Sequence, residues 1–459
     1  MSKAGQGENG LKEKNGMLIS QCMIVKNEEK NIERALSWGK GVVWEQIVVD
    51  TGSEDRTVEL ARKMGAKVFF LEWPEDFAAA KNYAIDQAKG EWIVFLDADE
   101  YMSERDAEMI PKVVEQLTER YYDGITVMLH NLNEEGQIFS SCSHLRLFRN
   151  TPNIRYQRRI HEQLVSLSGR ELRIVDGTRE LSVYHTGYQE EVSAEKKKNG
   201  RNRRMLEKEL EEHPEDPELL GYMGDECFDV GDQDEAERWY RSAIEHMPPE
   251  LKEYDQRSAV TFARLLMLLT ERKDAVWSDA DAVYRQAVKA FPKEGDLDYI
   301  AGRFFASHGH LVESICCLES ALSKLEQYGY VNRALLLSGN LGDAYDLLTK
   351  SCYEAGDLQK CVTYAVAHLK YERYEMKPLL WLLKSLFQGG EKIQNREQDD
   401  AVMGFLSKIY DVTSLKDRLF VLKTAQKAGC DSFADYMIRN HFTENEREQL
   451  EYVKRERSL

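Results

Sequence analysis

Residues Gly90 to Glu100 pass from a polar turn through Trp92, Ile93, Val94, Phe95 and Leu96 and stop on Asp97-Ala98-Asp99-Glu100. An apolar run this short, bounded by polar residues, reads as a buried strand of a parallel sheet. Carboxylates at its end are costly to bury without a cationic partner. In open α/β sheets the ligand lies beyond the carboxyl ends of the strands. The chain must therefore place two aspartates where a ligand would sit, which makes Asp97-x-Asp99 a candidate clamp for a divalent cation and a diphosphate. The bland reading is a capping carboxylate for the next helix, a role that Ser103 or Asp106 can fill instead.

The flanking sequence supplies companions for that strand. Leu18–Val25 reads as a strand ending at Lys26-Asn27-Glu28-Glu29, with Asn27 placed to cap a helix that buries Ile32, Ala35 and Leu36. Gln46–Val49 is a second strand, ending at Asp50-Thr51-Gly52-Ser53. Gly52 permits a turn, and Ser53 or Asp55 can cap a helix over 56–64. Lys67–Leu71 is a third strand, and a helix follows from Phe77 to Lys89. Strands alternating with helices in units of about 30 residues imply a mainly parallel α/β sheet. From residue 121 the pattern changes. Gly124–Leu129, Ser143–Phe148 and Leu164–Leu167 predict an antiparallel extension that closes at Val183–Tyr188. A charged helix over 193–212 then leads to a break at His213–Pro217.

The second half is repetitive. Gly224, Gly231, Ala236, Tyr240, Ala243 and Pro248 fall at the spacings of a tetratricopeptide repeat. Ala280, Tyr284, Ala287 and Pro292 repeat its second helix. Gly302, Phe305, Gly309, Ser314 and Ala321 repeat it again, and Gly356 with Cys361 marks a degenerate fourth unit. Such units bury their apolar faces by stacking on neighbours. The expected organisation is a disordered N-terminus over 1–16, an α/β domain over 17–192, a connecting helix over 193–214, an all-α tetratricopeptide-like solenoid over 215–370, and a further helical region over 371–459.

Charge and cysteine usage narrow the function. The formal net charge is −18, which argues against nucleic-acid binding by bulk electrostatics. Residues 141–210 hold 15 Lys/Arg against 9 Asp/Glu, a basic island that suits an anionic ligand or, through the Lys196–Lys198 run, a solvated helix face. Eight cysteines scattered without CxxC spacing imply reduced thiols and a cytoplasmic address. No signal peptide is visible and no apolar run approaches the length that spans a bilayer; Lys384 interrupts Leu380–Leu386.

Other residues with chemical potential sit at the expected strand ends. Asp50 can accept hydrogen bonds from a nucleobase or ribose, or simply stabilise its own turn. Lys81, beside Asn82, can reach a diphosphate. Glu162 follows the basic run Arg155–Arg159 and can act as a general base, with His161 orienting it or the acceptor. His185 is a candidate metal ligand or a satisfied half-buried imidazole.

These motifs converge on one family. Met23–Glu28, Val49–Thr57, Phe77–Asn82 and Leu96–Glu100 stand in the order and spacing of glycosyltransferase family 2, and residues 18–190 resemble that family and its GT-A fold. The pairing with tetratricopeptide-like repeats is similar to bacterial members such as the sublancin-type peptide S-glycosyltransferases. The resemblance implies a UDP-sugar donor, Mn²⁺ or Mg²⁺, and inversion at the anomeric carbon. It places Val25, Asn27 and Asp50 around the nucleotide, with Asp50 on the uridine. Lys81 and Asn82 fall near the diphosphate, Asp97 on the ribose or metal side, and Asp99 and His185 on the metal. Lys26-Asn27-Glu28 replaces the commoner Pro-x-Tyr-Asn-Glu opening. The acceptor implied is a peptide or protein side chain, with a glycan or lipid-linked acceptor as the alternative and a homodimer through the repeats as a further expectation. Two rival classes remain. One is a nucleotidyltransferase, disfavoured because no Gly-rich loop follows the first strand. The other is a repeat scaffold with an inactive transferase domain, disfavoured by the intact Asp-x-Asp.

Overall fold

A computed structural model describes residues 18–118, 121–186, 200–253, 255–329, 334–387 and 396–456. The stretch over 1–16 expected to be disordered, residues 193–199 of the connecting helix, and Gly187 and Tyr188 lie outside the described residues. The chain divides into two compact units, Met1–Arg264 and Leu265–Leu459.

The first unit is built on a mixed sheet. Its parallel half is β1 (Ile19–Val25), β2 (Glu45–Asp50), β3 (Lys67–Phe70) and β4 (Trp92–Phe95), ordered β3-β2-β1-β4. Helices α1 (Ile32–Ser37), α2 (Thr57–Lys63) and α3 (Phe77–Gln87) connect them. Residues 92–96 are all fully buried, as the apolar run requires. Each large aliphatic or aromatic side chain in that run contributes about 1.5–3 kcal/mol on leaving water. That gain anchors the strand whose end carries the aspartates. β5 (Glu100–Met102) and α4 (Glu104–Thr118) follow. Ser103 Oγ accepts from the Asp106 N–H at 3.1 Å, so the start of α4 is capped without either aspartate.

The other half of the sheet differs from the antiparallel extension expected. β6 (Gly124–Leu132) and β7 (Ile138–Arg149) form an antiparallel hairpin, and β7 also pairs antiparallel with β4. β10 (Ile174–Asp176) and β11 (Ser182–His185), however, both lie parallel to β6. β11 is wedged between β6 and the short β5, giving the order β4-β7-β6-β11-β5. Leu164–Leu167 does not join this sheet; β9 (Gln163–Ser166) forms a separate hairpin with β8 (Ile154–Gln157). Glycine-free short strands such as β5, β8 and β10 carry too few residues for a periodic signal.

Helices α5 (Arg201–Glu212), α6 (Pro217–Asp229), α7 (Gln233–Glu245) and the first part of α8 (Gln256–Thr270) belong to the same unit as the sheet. α6 and α7 form the first repeat pair. Gly231 turns between them at φ +86°, and a Cβ on Gly224 would stand 2.5 Å from the Tyr240 ring. This is why the repeat demands a small residue there. In the second unit, α10 (Gly295–Ser307) pairs with α11 (Leu311–Tyr328), and α13 (Leu341–Glu354) with α14 (Leu358–Tyr371). α9 (Trp277–Ala290) precedes these pairs, and α12 (Leu335–Gly339) lies between them. Gly356 at φ +82° makes the fourth unit regular in backbone though degenerate in sequence. Helices α15 (Met376–Leu386), α16 (Arg396–Leu406), α17 (Leu415–Ala428) and α18 (Asp431–His441) share one apolar core with the end of α14. α19 (Glu444–Glu456) completes the described chain. Among the described residues, no helix is long and apolar enough to cross a membrane.

Candidate active site

The parallel pairing of β1 with β2 and β4 brings the ends of three strands together. The loops after β1 and β2 are zipped to each other. The Asn27 N–H donates to Ser53 Oγ at 2.9 Å, the Glu54 N–H to Asn27 Oδ1 at 2.8 Å, and the Glu28 N–H to Thr57 Oγ1 at 2.7 Å. Asn27 stands in the left-handed region at φ 57° and does not cap α1; the helix begins after Asn31. Of the two residues proposed to start α2, Asp55 is the one that accepts from the Thr57 N–H, at 2.9 Å. Val25 ends β1, and its carbonyl accepts from both the Thr51 N–H and Oγ1. Asp50 is buried, and its carboxylate accepts from the N–H groups of Gly52 and Ser53, both at 3.1 Å. The turn role foreseen for it is therefore present.

The Asp-x-Asp end is organised by two cations and a histidine. Lys81, on α3, is almost fully buried and its Nζ lies 2.5 Å from Glu162 Oε1 and 3.4 Å from Asp97 Oδ1. The same ammonium sits over the rings of Phe95 and Tyr156. Burial would lower the Lys81 pKa, but the Asp97 and Glu162 carboxylates outweigh it and hold it raised. Asp97 shows the converse. Its side chain is only partly buried, and that partial desolvation pushes its carboxyl up, yet Lys81 and Arg146 pull it well below the usual range. Arg146 reaches Asp97 Oδ2 at 3.4 Å and also pairs with Glu100. Both polar ends of the Asn82 amide are engaged by the backbone of Tyr156, at 2.9 Å each, so Asn82 ties α3 to β8.

Asp99 meets His185. Strand register explains this: His185 stands opposite Glu100 on β5 and opposite Asn131 on β6. Its Nδ1 lies 2.9 Å from Asn131 Oδ1, and its Nε2 lies 3.4 Å from Asp99 Oδ2. Burial would lower the His185 pKa; the Asp99 carboxylate more than offsets this and raises it. Asn131 Oδ1 can accept from Nδ1–H and fix the plane of the ring, and Nε2 is the nitrogen turned to Asp99, where its N–H donates to the carboxylate and where a cation placed between the two would find the deprotonated nitrogen instead. Among the described residues, Asp97, Asp99, Glu100 and Glu162 face the permanent cations Lys81 and Arg146, with burial raising the Glu100 pKa. The donor set fits a hard divalent cation. Of the three predicted metal ligands, the structure pairs Asp99 with His185 and turns Asp97 toward Lys81 and Arg146. Among the described residues no three His, Cys, Asp or Glu side chains are gathered into a metal cage.

Of the predicted catalytic pair, Glu162 joins the Lys81 network, while His161 stacks on Tyr222 with ring centroids 3.6 Å apart and planes 4° apart. Sequence reasoning missed Arg146, Glu100, Asn131 and Tyr156. Arg146 is the extra residue of a bulge: Ile125 faces Leu147 and Thr126 faces Leu145. A bulge re-aims the extra side chain. Alternation along β7 therefore could not reveal it. The Tyr156 hydroxyl is buried and has no hydrogen-bond partner among the described residues, and burial pushes its pKa up to about 12. The signal for Glu100 was adjacency to the motif.

A parallel sheet with an acid pair at the end of a central strand, flanked by a mixed half that returns a histidine to that pair, defines a GT-A nucleotide-sugar domain. The model of the family described as "Glycosyl transferase family 2" matches residues 20–170. A TPR repeat-containing protein of Synechococcus elongatus is 34% identical over 336 residues, covering 72% of this chain and 73% of that protein. The SPbeta prophage-derived glycosyltransferase SunS of Bacillus subtilis is 29% identical over 61% of this chain and 65% of its own length. Among solved structures, S. aureus TarS in complex with UDP-GlcNAc aligns over 60% of this chain and 90% of that one, with 18% identity and a TM-score of 0.34. The chain belongs to glycosyltransferase family 2 and joins a transferase domain to tetratricopeptide-like helical repeats.

Proposed function

We propose that the protein transfers a sugar from a UDP-sugar to a peptide or protein side chain, with inversion and with Mn²⁺ or Mg²⁺ bound. The observation that carries the reading is the Asp99–His185 pair, its imidazole oriented by Asn131, at the carboxyl end of β4. Asp99 and His185 would hold the ion, which when bound would neutralise charge on the departing diphosphate.

The chain's own residues account for the rest. The zipped loops at Val25, Asn27 and Asp50 form the ledge for the uridine. Lys81 and Arg146 keep Asp97 ionised and supply positive charge beside the diphosphate. Glu162 accepts the proton of the acceptor nucleophile as that atom bonds to the anomeric carbon. The glycosyl–phosphate bond breaks on the opposite face and its electron pair leaves with UDP. Stacked repeats of this type present extended surfaces suited to peptide chains, which supports a peptide acceptor. The scattered cysteines, all free in the structure, support action in the reducing cytoplasm. Incubation with a panel of UDP-sugars and Mn²⁺ should release UDP with at least one donor, and Asp99→Ala should abolish that release. Unchanged release by Asp99→Ala at saturating metal would overturn the reading.

A further inference from the structure

We propose that the first helices beyond the sheet are a working part of the transferase site, with Tyr222 as a positioning residue for Glu162. The inference rests on the reading of Glu162 as the general base.

Five residues, Arg158 to Glu162, connect β8 to β9. Two of them, Arg158 at φ 77° and His161 at φ 53°, are left-handed although neither is glycine. Such a conformation is costly for a non-glycine residue and persists only where the surroundings over-determine it. Helices α5 and α6 provide those surroundings. Arg158 reaches Asp216 at 2.9 Å and Glu218 at 2.5 Å. Arg159 donates its backbone N–H to Glu209 at 2.5 Å and pairs with Glu212 at 2.6 Å. Ile160 is buried in an apolar cluster with Met205, Leu206, Leu219 and Met223. His161 lies flat on Tyr222. The fifth residue, Glu162, points the other way, to Lys81 on α3.

Tyr222 is itself fixed from the repeat side. The Arg257 guanidinium lies 4.6 Å from its ring centroid, and Arg257 pairs at 2.6 Å with Asp225, which also accepts from the Tyr240 hydroxyl at 2.8 Å. The repeat pair α6–α7 thus sets the backbone at His161, one residue from the carboxylate that must meet the acceptor. A small displacement of a reacting group lowers turnover steeply while leaving ground-state binding alone. A joint that only holds the helices to the sheet would show no such selectivity.

The test uses the full chain with the UDP-sugar that it turns over, comparing Tyr222→Ala, Tyr222→Phe, Arg158→Lys and Glu162→Gln. Tyr222→Ala should lower kcat about 10- to 100-fold, with donor KM and UDP affinity in Mn²⁺ held within about twofold. Tyr222→Phe, which keeps the stack, should restore turnover. In the Glu162→Gln background, Tyr222→Ala should cost nothing further, as expected of residues that act as one unit. If Tyr222→Ala does not fold, Arg158→Lys carries the same test, with a smaller kcat loss and the same non-additivity. Parallel loss of kcat and UDP affinity, failure of Tyr222→Phe to rescue, or additive losses with Glu162→Gln would overturn the positioning role. So would normal turnover of Tyr222→Ala in a protein that needs Glu162. Wild-type turnover of Glu162→Gln would instead overturn the base assignment.

Discussion

Buried acids occur in both units, and they are held differently. In the helical unit, Asp298 on α10 is nearly inaccessible and accepts from the Tyr284 hydroxyl at 2.8 Å, Ser320 Oγ at 2.5 Å and Lys324 Nζ at 2.8 Å. It is a carboxylate with its hydrogen-bonding capacity filled at short range. At the sheet's acidic end, Asp97 keeps a side chain 40% exposed and meets its cations at 3.4 Å on either oxygen, and Asp99 meets His185 at 3.4 Å. Among the described residues, the acids there outnumber the permanent cations. On the proposed function, the contrast separates a carboxylate that keeps the fold from acids that would meet a metal and a diphosphate.

That contrast can be broken by substitution. The largest effect should come from Asp99→Ala, which should reduce UDP-sugar turnover about a thousandfold or more, with an unchanged melting temperature by differential scanning fluorimetry. Glu162→Gln should lower kcat about 100- to 1,000-fold with little change in donor KM, measured by UDP release at varied donor. Asn131→Leu removes the oxygen that orients His185. It should weaken Mn²⁺ activation about 10- to 100-fold, read as the metal concentration giving half-maximal turnover. The smallest effect on activity should come from Asp298→Ala. It should destabilise the helical unit by up to about 3 kcal/mol in urea unfolding while turnover at low temperature stays within about twofold. Turnover lost in Asp298→Ala and kept in Asp99→Ala would reverse the assignment of the two classes.

Much of this was legible in the sequence because it is local. Trp92–Leu96 announced a buried strand by composition, and Asp97 and Asp99 followed directly from it. Gly224 and Tyr240 marked a repeat because two helices touch where only a small residue fits, and Gly231 because the turn between them is left-handed. What escaped depends on pairing between distant segments. His185 was named, but Asn131, its partner across 54 residues, was not; their meeting is fixed by the parallel register of β11 with β6. Arg146 was hidden by a bulge that displaces it from the alternation of β7. Of the antiparallel extension, the pairing of Gly124–Leu129 with Ser143–Phe148 is present, but Leu164–Leu167 pairs with β8 instead and β11 returns parallel to β6, because short strands do not encode their partner or direction. His161 was paired with Glu162 by adjacency, although its left-handed backbone sends the ring to Tyr222 instead.

The central claim is that the acidic strand end is the metal and diphosphate side of a UDP-sugar site. Calorimetric titration of UDP into the wild-type chain and Asp99→Ala, each with and without Mn²⁺, tests it most directly. Tight binding only in the wild type with Mn²⁺ is the predicted result. UDP binding that is independent of the metal, or equal in the two proteins, would contradict it.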